Sequence, residues 1–180
     1  NYPFTNSDNT LGAIYVVRDP RNIVNSLSNH FSDCISNATI KFLGEMYQME
    51  EGTKCRTHIG RWNFHYNSWK NFPKNFYLIK YEDLIKNPFI EFNKLSNFLS
   101  DLLKIKFDKE KITNAVNSCE FKNLKLIEKN YGFEESILSE KTGKKIDFFN
   151  LGPDNNWKKI LDNEIRIKIE KNFDKEMIEL

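Results

Sequence analysis

The stretch Ala13–Phe31, AIYVVRDPRNIVNSLSNHF, is the part of the sequence that decides the fold. Gly12 to Val17 is apolar and β-branched without alternation, which predicts a buried strand. Asp19 can cap a helix, and Pro20 can occupy the first helical position. The apolar residues of that helix recur at helical spacing, at Ile23, Val24, Leu27 and Phe31. The stretch therefore predicts a strand, a tight turn and a helix.

The rest of the chain predicts one further strand, at Phe76 to Tyr81, and several helices. The helical patterns cover Ile40 to Met49, His58 to Trp69, Pro88 to Leu102, Lys109 to Val116 and Asp162 to Met177. Gly132 to Pro153 is typical of a loop. Strands alternating with helices predict an α/β fold with a partial parallel sheet flanked by helices. Because two strands are few for such a sheet, we expect part of the domain to lie upstream of Asn1.

Composition excludes several classes of protein. Among 180 residues, 27 Lys and Arg face 25 Asp and Glu, so the net charge is +2. That balance does not favour binding to nucleic acid or an anionic membrane, and no apolar run approaches the roughly 20 residues that span a bilayer. The three cysteines lack the spacing of a disulfide framework or a zinc site: Cys34, Cys55 and Cys119. We expect a cytoplasmic protein with no nucleic-acid or membrane partner.

Arg18 lies at the corner where the strand meets the helix. The carboxyl ends of parallel strands and the N-termini of helices attract anions, and a guanidinium can bind phosphate through two parallel hydrogen bonds. Ser26 follows eight residues later and can turn a hydroxyl toward the same anion. The alternative is a structural ion pair between Arg18 and one of the carboxylates of Asp19, Glu82 and Asp83. The corner alone leaves both interpretations open.

Four segments together resemble the sulfotransferases that use 3'-phosphoadenosine 5'-phosphosulfate (PAPS). IYVVRDPRNIVNSLSNHF, residues 14–31, is similar to the family's 3'-phosphate-binding segment, in which Arg18 and Ser26 match the two phosphate contacts. FYLIKYEDLIKNP, residues 76–88, resembles the strand ending in Tyr-Glu-Asp, which would place Tyr81 against the adenine. SCEFKNLK, residues 118–125, is loosely similar to Thr-Ser-Phe-x-x-Met-Lys and would make Phe121 the base-stacking residue.

The fourth segment is FFNLGPDNNWKKIL, residues 148–161, which resembles Phe-Phe-Arg-Lys-Gly-x-x-Gly-Asp-Trp-Lys. Gly152 is retained, but Asn150 and Leu151 replace the family's Arg-Lys pair. Backbone amides near Gly152 can still cradle a phosphate, and Asn150 can donate a neutral hydrogen bond. Such a bond contributes about 1 kcal/mol, against about 1.5–3 for a charged one. Weaker nucleotide binding and compensation by Lys158 are both open.

The resemblance implies transfer of a sulfonate from PAPS to a hydroxyl or amine acceptor, of a small molecule or otherwise, without a metal. The family's Pro-Lys-x-Gly-Thr loop and its Lys-Thr-His stretch, which carries the general base, do not occur in the sequence. We therefore expect residues 1–180 to be the C-terminal portion of a single sulfotransferase domain with a P-loop-type sheet. No catalytic residue is assigned, and structural roles are expected for His30, His58 and His65.

Two alternatives belong to other classes of protein. A P-loop nucleotide or sugar kinase would share the phosphate site at the strand end, but it needs a Gly-Lys-Ser/Thr loop and acidic magnesium ligands. A non-catalytic α/β domain that binds a nucleotide or a protein partner would fit the missing base. The sequence predicts neither the acceptor nor the oligomeric state.

Overall fold

The computed structural model describes residues 7–44, 47–49, 56–58, 60–139 and 142–180. The helices are α1 (Pro20–His30), α2 (Ile35–Leu43), α3 (Trp62–Lys70), α4 (Tyr81–Lys86), α5 (Pro88–Leu103), α6 (Lys109–Ser118), α7 (Phe121–Tyr131), α8 (Trp157–Ile160) and α9 (Asn163–Glu179). The strands are β1 (Gly12–Val17), β2 (Tyr47–Met49), β3 (Arg56–His58), β4 (Asn75–Lys80), β5 (Ile137–Leu138) and β6 (Lys145–Ile146). Short 3₁₀ helices lie at Ser7–Asn9 and Gly152–Asp154.

The chain forms two compact units. The first unit contains Asn1–Arg18 and Tyr66–Cys119, and the second contains Asp19–His65 and Glu120–Leu180. The first unit holds the parallel pair β1–β4, with α4 and α5 packed on β4. The second unit holds the remaining sheets, which are the antiparallel pairs β2–β3 and β5–β6. None of the helices in the described residues is long and apolar enough to cross a membrane.

The predicted strand, turn and helix at the start of the chain are confirmed. The Asp19 carboxylate accepts a hydrogen bond from the Arg21 amide at 2.9 Å, and Pro20 is the first residue of α1, as the sequence predicts. Gly12 pairs with Asn75 and Val17 with Lys80, so the two strands run parallel and end together. The prediction of an α/β fold with a parallel sheet flanked by helices is therefore confirmed.

Strand β1 is less buried than predicted. Val17 is 3% exposed, but Ile14 and Val16, which share one face of the strand by alternation, are 44% and 52% exposed. On the other side, the Tyr15 ring packs against Tyr66, Trp69 and Phe76. The continuous apolar pattern predicts that both faces of β1 are buried. In the structure, the face with Ile14 and Val16 remains accessible to solvent.

Several predicted element boundaries are wrong. The helix predicted from Ile40 to Met49 ends at Leu43, and Tyr47–Met49 is strand β2. The helix predicted from His58 begins at Trp62 instead, so the expected role of His58 at a helix start is wrong as well. Gly60, with a φ of 73°, lies just before α3 in a conformation that interrupts a helix. Helix α7 was not predicted.

The core of the second unit is built around Phe173. This side chain and Ile169 are both 0% exposed, and the rings of Trp62 and Phe42 lie 5.1 and 5.5 Å from the Phe173 ring. Phe173 also has non-helical dihedrals inside α9, with φ −128° and ψ 15°. Contacts of α9 with α1 and α2 connect this core to the helix that follows β1.

We expect Phe173→Ala to lower the free energy of unfolding by about 3–5 kcal/mol, because it leaves a cavity between two aromatic rings. Urea denaturation measures this change. The matched control is Phe64→Ala in α3, whose side chain is 63% exposed. The control should change the free energy by about 0.5 kcal/mol or less. Equal losses in the two variants would contradict this description of the core.

Candidate functional site

Arg18 and Tyr81 come together at the carboxyl ends of the two parallel strands. They directly follow Val17 and Lys80, which are paired in the sheet register. The Arg18 guanidinium carbon lies 4.3 Å from the centre of the Tyr81 ring, within the range of a cation–π contact. Tyr81 is the first residue of α4 rather than the last of the strand. The structure thus brings together two of the residues predicted to bind nucleotide.

Ser26 lies on α1 and is held by Asn155, a residue that the sequence analysis did not identify. The Asn155 amide nitrogen donates to the Ser26 hydroxyl oxygen and to the Asn22 carbonyl, each at 3.0 Å, and its oxygen accepts from Asn25 at 3.1 Å. Asn155 is only 8% exposed. The bond from Asn155 restrains the position of the Ser26 oxygen on α1.

Further bonds join the same helix to the segment 147–157, which we call the α1-bound segment. The Trp157 amide donates to the Asn22 side chain at 2.9 Å. One turn or more along α1, Asn29 donates to the Asp147 carbonyl at 3.2 Å and accepts from Asn150 at 2.7 Å. The Asn150 side chain, predicted as a phosphate contact, is therefore bonded to Asn29. Asparagines along α1 are thus bonded to this segment at four of its residues: Asp147, Asn150, Asn155 and Trp157.

Gly152 lies against Phe121, so two more predicted residues meet. Gly152 has a φ of 52°, and a Cβ built at this position would come within 2.4–2.6 Å of three atoms of the Phe121 ring. Only glycine allows this approach at this φ without strain. Phe121 is also the first residue of α7 and stacks edge-on against Phe149 at 6.5 Å.

The structure places a cation next to the position where Arg-Lys was expected. Lys125, on α7, donates through Nζ to the Asn150 carbonyl at 3.3 Å, and its Nζ lies 5.5 Å from the Phe121 ring centre. Lys158, which the sequence analysis considered as a substitute, has its Nζ 5.6 Å from the Trp157 ring centre. The Arg21 guanidinium carbon also lies near this ring, at 4.1 Å from its centre.

Glu128, also on α7, was not identified from the sequence. Its carboxylate accepts from the Phe148 amide at 2.7 Å, the Phe149 amide at 2.9 Å and the Ser136 hydroxyl. Burial disfavours the charged form, but these hydrogen bonds outweigh that effect and hold the pKa of Glu128 below its ordinary value. Its contribution to stability is therefore present above the ordinary glutamate pKa and lost as the pH falls through the lowered value.

Two of the histidines can be described in detail. The His30 ring packs edge-on against Phe31 and Phe148, at 5.2 and 6.4 Å. Burial lowers the pKa of His65, which favours its neutral form. Across the described part of the chain, no three His, Cys, Asp or Glu side chains cluster as a metal site. The absence of a catalytic base and of a metal stays a prediction, and Cys55 lies outside the described residues.

The predicted site residues fall into two groups. Arg18 and Tyr81 belong to the first unit, whereas Ser26, Phe121, Asn150 and Gly152 belong to the second. Within the second unit, α1 and α7 both contact the α1-bound segment, so these four residues are parts of one local arrangement. That arrangement offers hydroxyl, amide and lysine donors together with an aromatic ring.

The sequence matches a known protein family over almost its whole length. Residues 3–180 match the family described as "Sulfotransferase domain". A flavonol sulfotransferase-like protein of Flaveria bidentis is 30% identical over 114 residues, which make up 58% of this chain and 33% of that protein.

Two solved structures resemble the fold. One is a mouse sulfotransferase in complex with PAP, with a TM-score of 0.63 and 19% identity over 91% of this chain and 57% of that chain. The other is a retinol dehydratase in complex with androsterone and the inactive cofactor PAP, with a TM-score of 0.63 and 18% identity over 94% of this chain and 48% of that chain. The chain thus spans a third to just over half of these relatives' length. At these identities the structural likeness concerns the fold alone.

We expect Gly152→Ala to destabilise the second unit, because a methyl group there overlaps the Phe121 ring. The matched control is Gly143→Ala. Gly143 also has a positive φ, of 64°, but an added Cβ meets none of the described atoms within 4 Å. Both variants carry the cost of a left-handed alanine, so their difference isolates the overlap and should be about 1–3 kcal/mol in urea denaturation. Equal destabilisation would show that Phe121 does not lie against Gly152.

Proposed function

We propose that this chain, which belongs to the sulfotransferase family, binds PAPS as part of an enzyme that transfers a sulfonate group to a hydroxyl or amine acceptor. Residues 1–180 would then form the C-terminal portion of a single sulfotransferase domain, acting in the cytoplasm. PAP, the desulfonated product of PAPS, is the ligand in both solved relatives. Because the chain belongs to the sulfotransferase family, the alternative of a P-loop kinase no longer applies.

The observation that carries the proposal is the contact of Gly152 with Phe121. Leu151 has right-handed and Gly152 left-handed dihedrals, an alternation that turns successive amides to one side as an anion-binding nest. Because Pro153 has no N–H, the donors of this nest are the amides of Leu151 and Gly152. The ring pressed against this glycine is the one that the family resemblance assigns to the adenine. A phosphate subsite and a base-stacking ring are thus adjacent, which suits a nucleotide with a 3'-phosphate.

Ser26 completes the same part of the proposed site. Its oxygen accepts from Asn155, and Ser26 is proposed to contact the 3'-phosphate as the family resemblance implies. Preorganised donors lose less conformational entropy on binding than donors that must be ordered. The Asn150 side chain donates to Asn29 and its backbone amide donates to the Phe148 carbonyl, so the contribution of Asn150 would be to hold Leu151 and Gly152 in position.

Lys125 is the cation that we propose in place of the family's Arg-Lys pair. Its Nζ already lies within hydrogen-bond distance of the Asn150 carbonyl. A lysine offers a point charge and not the planar pair of donors that an arginine presents to phosphate. The proposed contact between Lys125 and the 3'-phosphate is therefore mainly electrostatic.

The first unit has its own proposed nucleotide contacts, Arg18 and Tyr81. Arg18 is proposed to bind the 3'-phosphate and Tyr81 to lie against the adenine. The cation–π contact between them orders the guanidinium before any ligand binds. When bound, PAPS supplies the sulfonate and a phosphate-ester leaving group, while the residues named here bind and orient it. No catalytic residue of this chain is assigned, and no metal is included.

We expect the chain to bind PAP more tightly than adenosine 5'-monophosphate, which lacks the 3'-phosphate. Replacing Arg18 with Ala should weaken PAP binding about 10- to 100-fold, the equivalent of one charged hydrogen-bonding interaction, and leave the monophosphate unaffected. Isothermal titration calorimetry measures both affinities.

Arg166→Ala is the matched control. It removes an equal charge from α9, where Arg166 donates to Asn163. This variant should keep the preference for PAP. Equal affinities of the wild-type chain for the two nucleotides would refute the proposed function. A non-catalytic nucleotide-binding domain would show the same binding. It is distinguished by an assay of PAP formation from PAPS in a protein that also includes the expected upstream part of the domain, where the enzyme should form PAP in the presence of a hydroxyl or amine acceptor and the non-catalytic domain should not.

A further inference from the structure

Glu128 is a charged side chain in an unusual place. It is 2% exposed and ranks with Phe173 and Ile169 among the large side chains that are fully buried. Burying a carboxylate is costly unless hydrogen bonds replace its water. The proposed function assigns no role to this residue, although it lies on the helix that also carries Phe121 and Lys125.

The carboxylate binds two consecutive backbone amides. Oε1 accepts from Phe148 and Oε2 accepts from Phe149, at 2.7 and 2.9 Å. Two oxygens bonded to successive amides fix both the position and the direction of the chain at this point. Asn150, whose amide in turn donates to the Phe148 carbonyl at 2.9 Å, is the next residue. Glu128 thus orients the chain directly before Asn150–Gly152.

Helix α7 contacts this segment at three levels. Phe121 lies against Gly152, Lys125 donates to the Asn150 carbonyl, and Glu128 accepts from Phe148 and Phe149. The three helix residues are spaced four and then three apart, so they share one face of α7. As the helix runs forward, the segment runs backward along it. One face of one helix therefore sets the conformation of 148–152.

We propose that Glu128 is a positioning residue for nucleotide binding: its carboxylate holds the amides of Phe148 and Phe149 so that Leu151 and Gly152 present their backbone amides to the 3'-phosphate. This inference rests on the proposed function. Glu128 itself does not touch the nucleotide. The contribution of the 3'-phosphate to affinity is therefore expected to depend on Glu128, whereas the contribution of the base and the 5'-phosphate is not.

Glu128→Gln tests the inference, because it keeps the size of the side chain but places an NH₂ group against one of the two backbone N–H donors. The readout is the ratio of the dissociation constants for adenosine 5'-monophosphate and PAP, measured by calorimetry. We expect this ratio to fall about tenfold, because a neutral acceptor forms weaker hydrogen bonds with the two amides than a carboxylate does. Affinity for the monophosphate should stay within about twofold of wild type.

Two control variants separate positioning from stability. Ser136→Ala removes the donor that is not part of the segment and keeps both amide bonds. Glu176→Gln removes another buried carboxylate, 6% exposed, from α9. Each of these substitutions can change the stability of the fold, so the midpoint of thermal unfolding is measured for both variants. Both variants should keep the wild-type ratio of dissociation constants.

The outcomes are distinct. A Glu128→Gln variant with a lowered unfolding midpoint and an unchanged ratio would overturn the inference and leave Glu128 a purely structural residue. A wild-type ratio of one would refute the proposed function itself. If Glu128→Gln does not fold, Glu128→Asp replaces it, since it keeps the charge but withdraws the carboxylate by one methylene. An unchanged ratio in Glu128→Asp would then overturn the inference.

Discussion

The hydrogen bonds of Asn155 to α1 are the interaction on which the rest of the candidate site depends. This amide is nearly buried, and an amide in that position is costly if its bonds are not made. Because its partners are fixed points on a helix, the α1-bound segment has one favourable register along α1. That register brings Asn150 opposite Asn29 and places the Trp157 amide on Asn22. Gly152 is positioned as a consequence.

Helix α7 restrains the same segment through different chemistry. Its contacts are an aromatic ring on a glycine, an ammonium on a carbonyl and a carboxylate on two amides. Backbone groups in loops need partners when they are withdrawn from water, and here side chains of two helices supply them. A segment held in this way needs little reorganisation when it binds a ligand. Preorganisation of this kind improves affinity.

Local features could be predicted from the sequence, and distant contacts could not. The strand at Gly12–Val17 and the cap at Asp19 depend on neighbouring residues, and both are present. The bonds of Asn155 join residues 129 to 133 positions apart, and no local pattern marks them. Helix α7 was missed although its sequence carries a helical signal. Phe121, Leu124, Ile127 and Tyr131 recur at helical spacing.

The family resemblance identified residue types, but it could not say how a neutral Asn150 takes the place of an arginine. The structure places a lysine from another element, Lys125, against the Asn150 carbonyl. The most direct measurement of the central claim is a pair of ¹H–¹⁵N correlation spectra, one with PAP and one with adenosine 5'-monophosphate. The account predicts that the differences between them concentrate on the amides of Asn150–Gly152 and on those around Ser26. Identical spectra, or differences confined to α9, would contradict it.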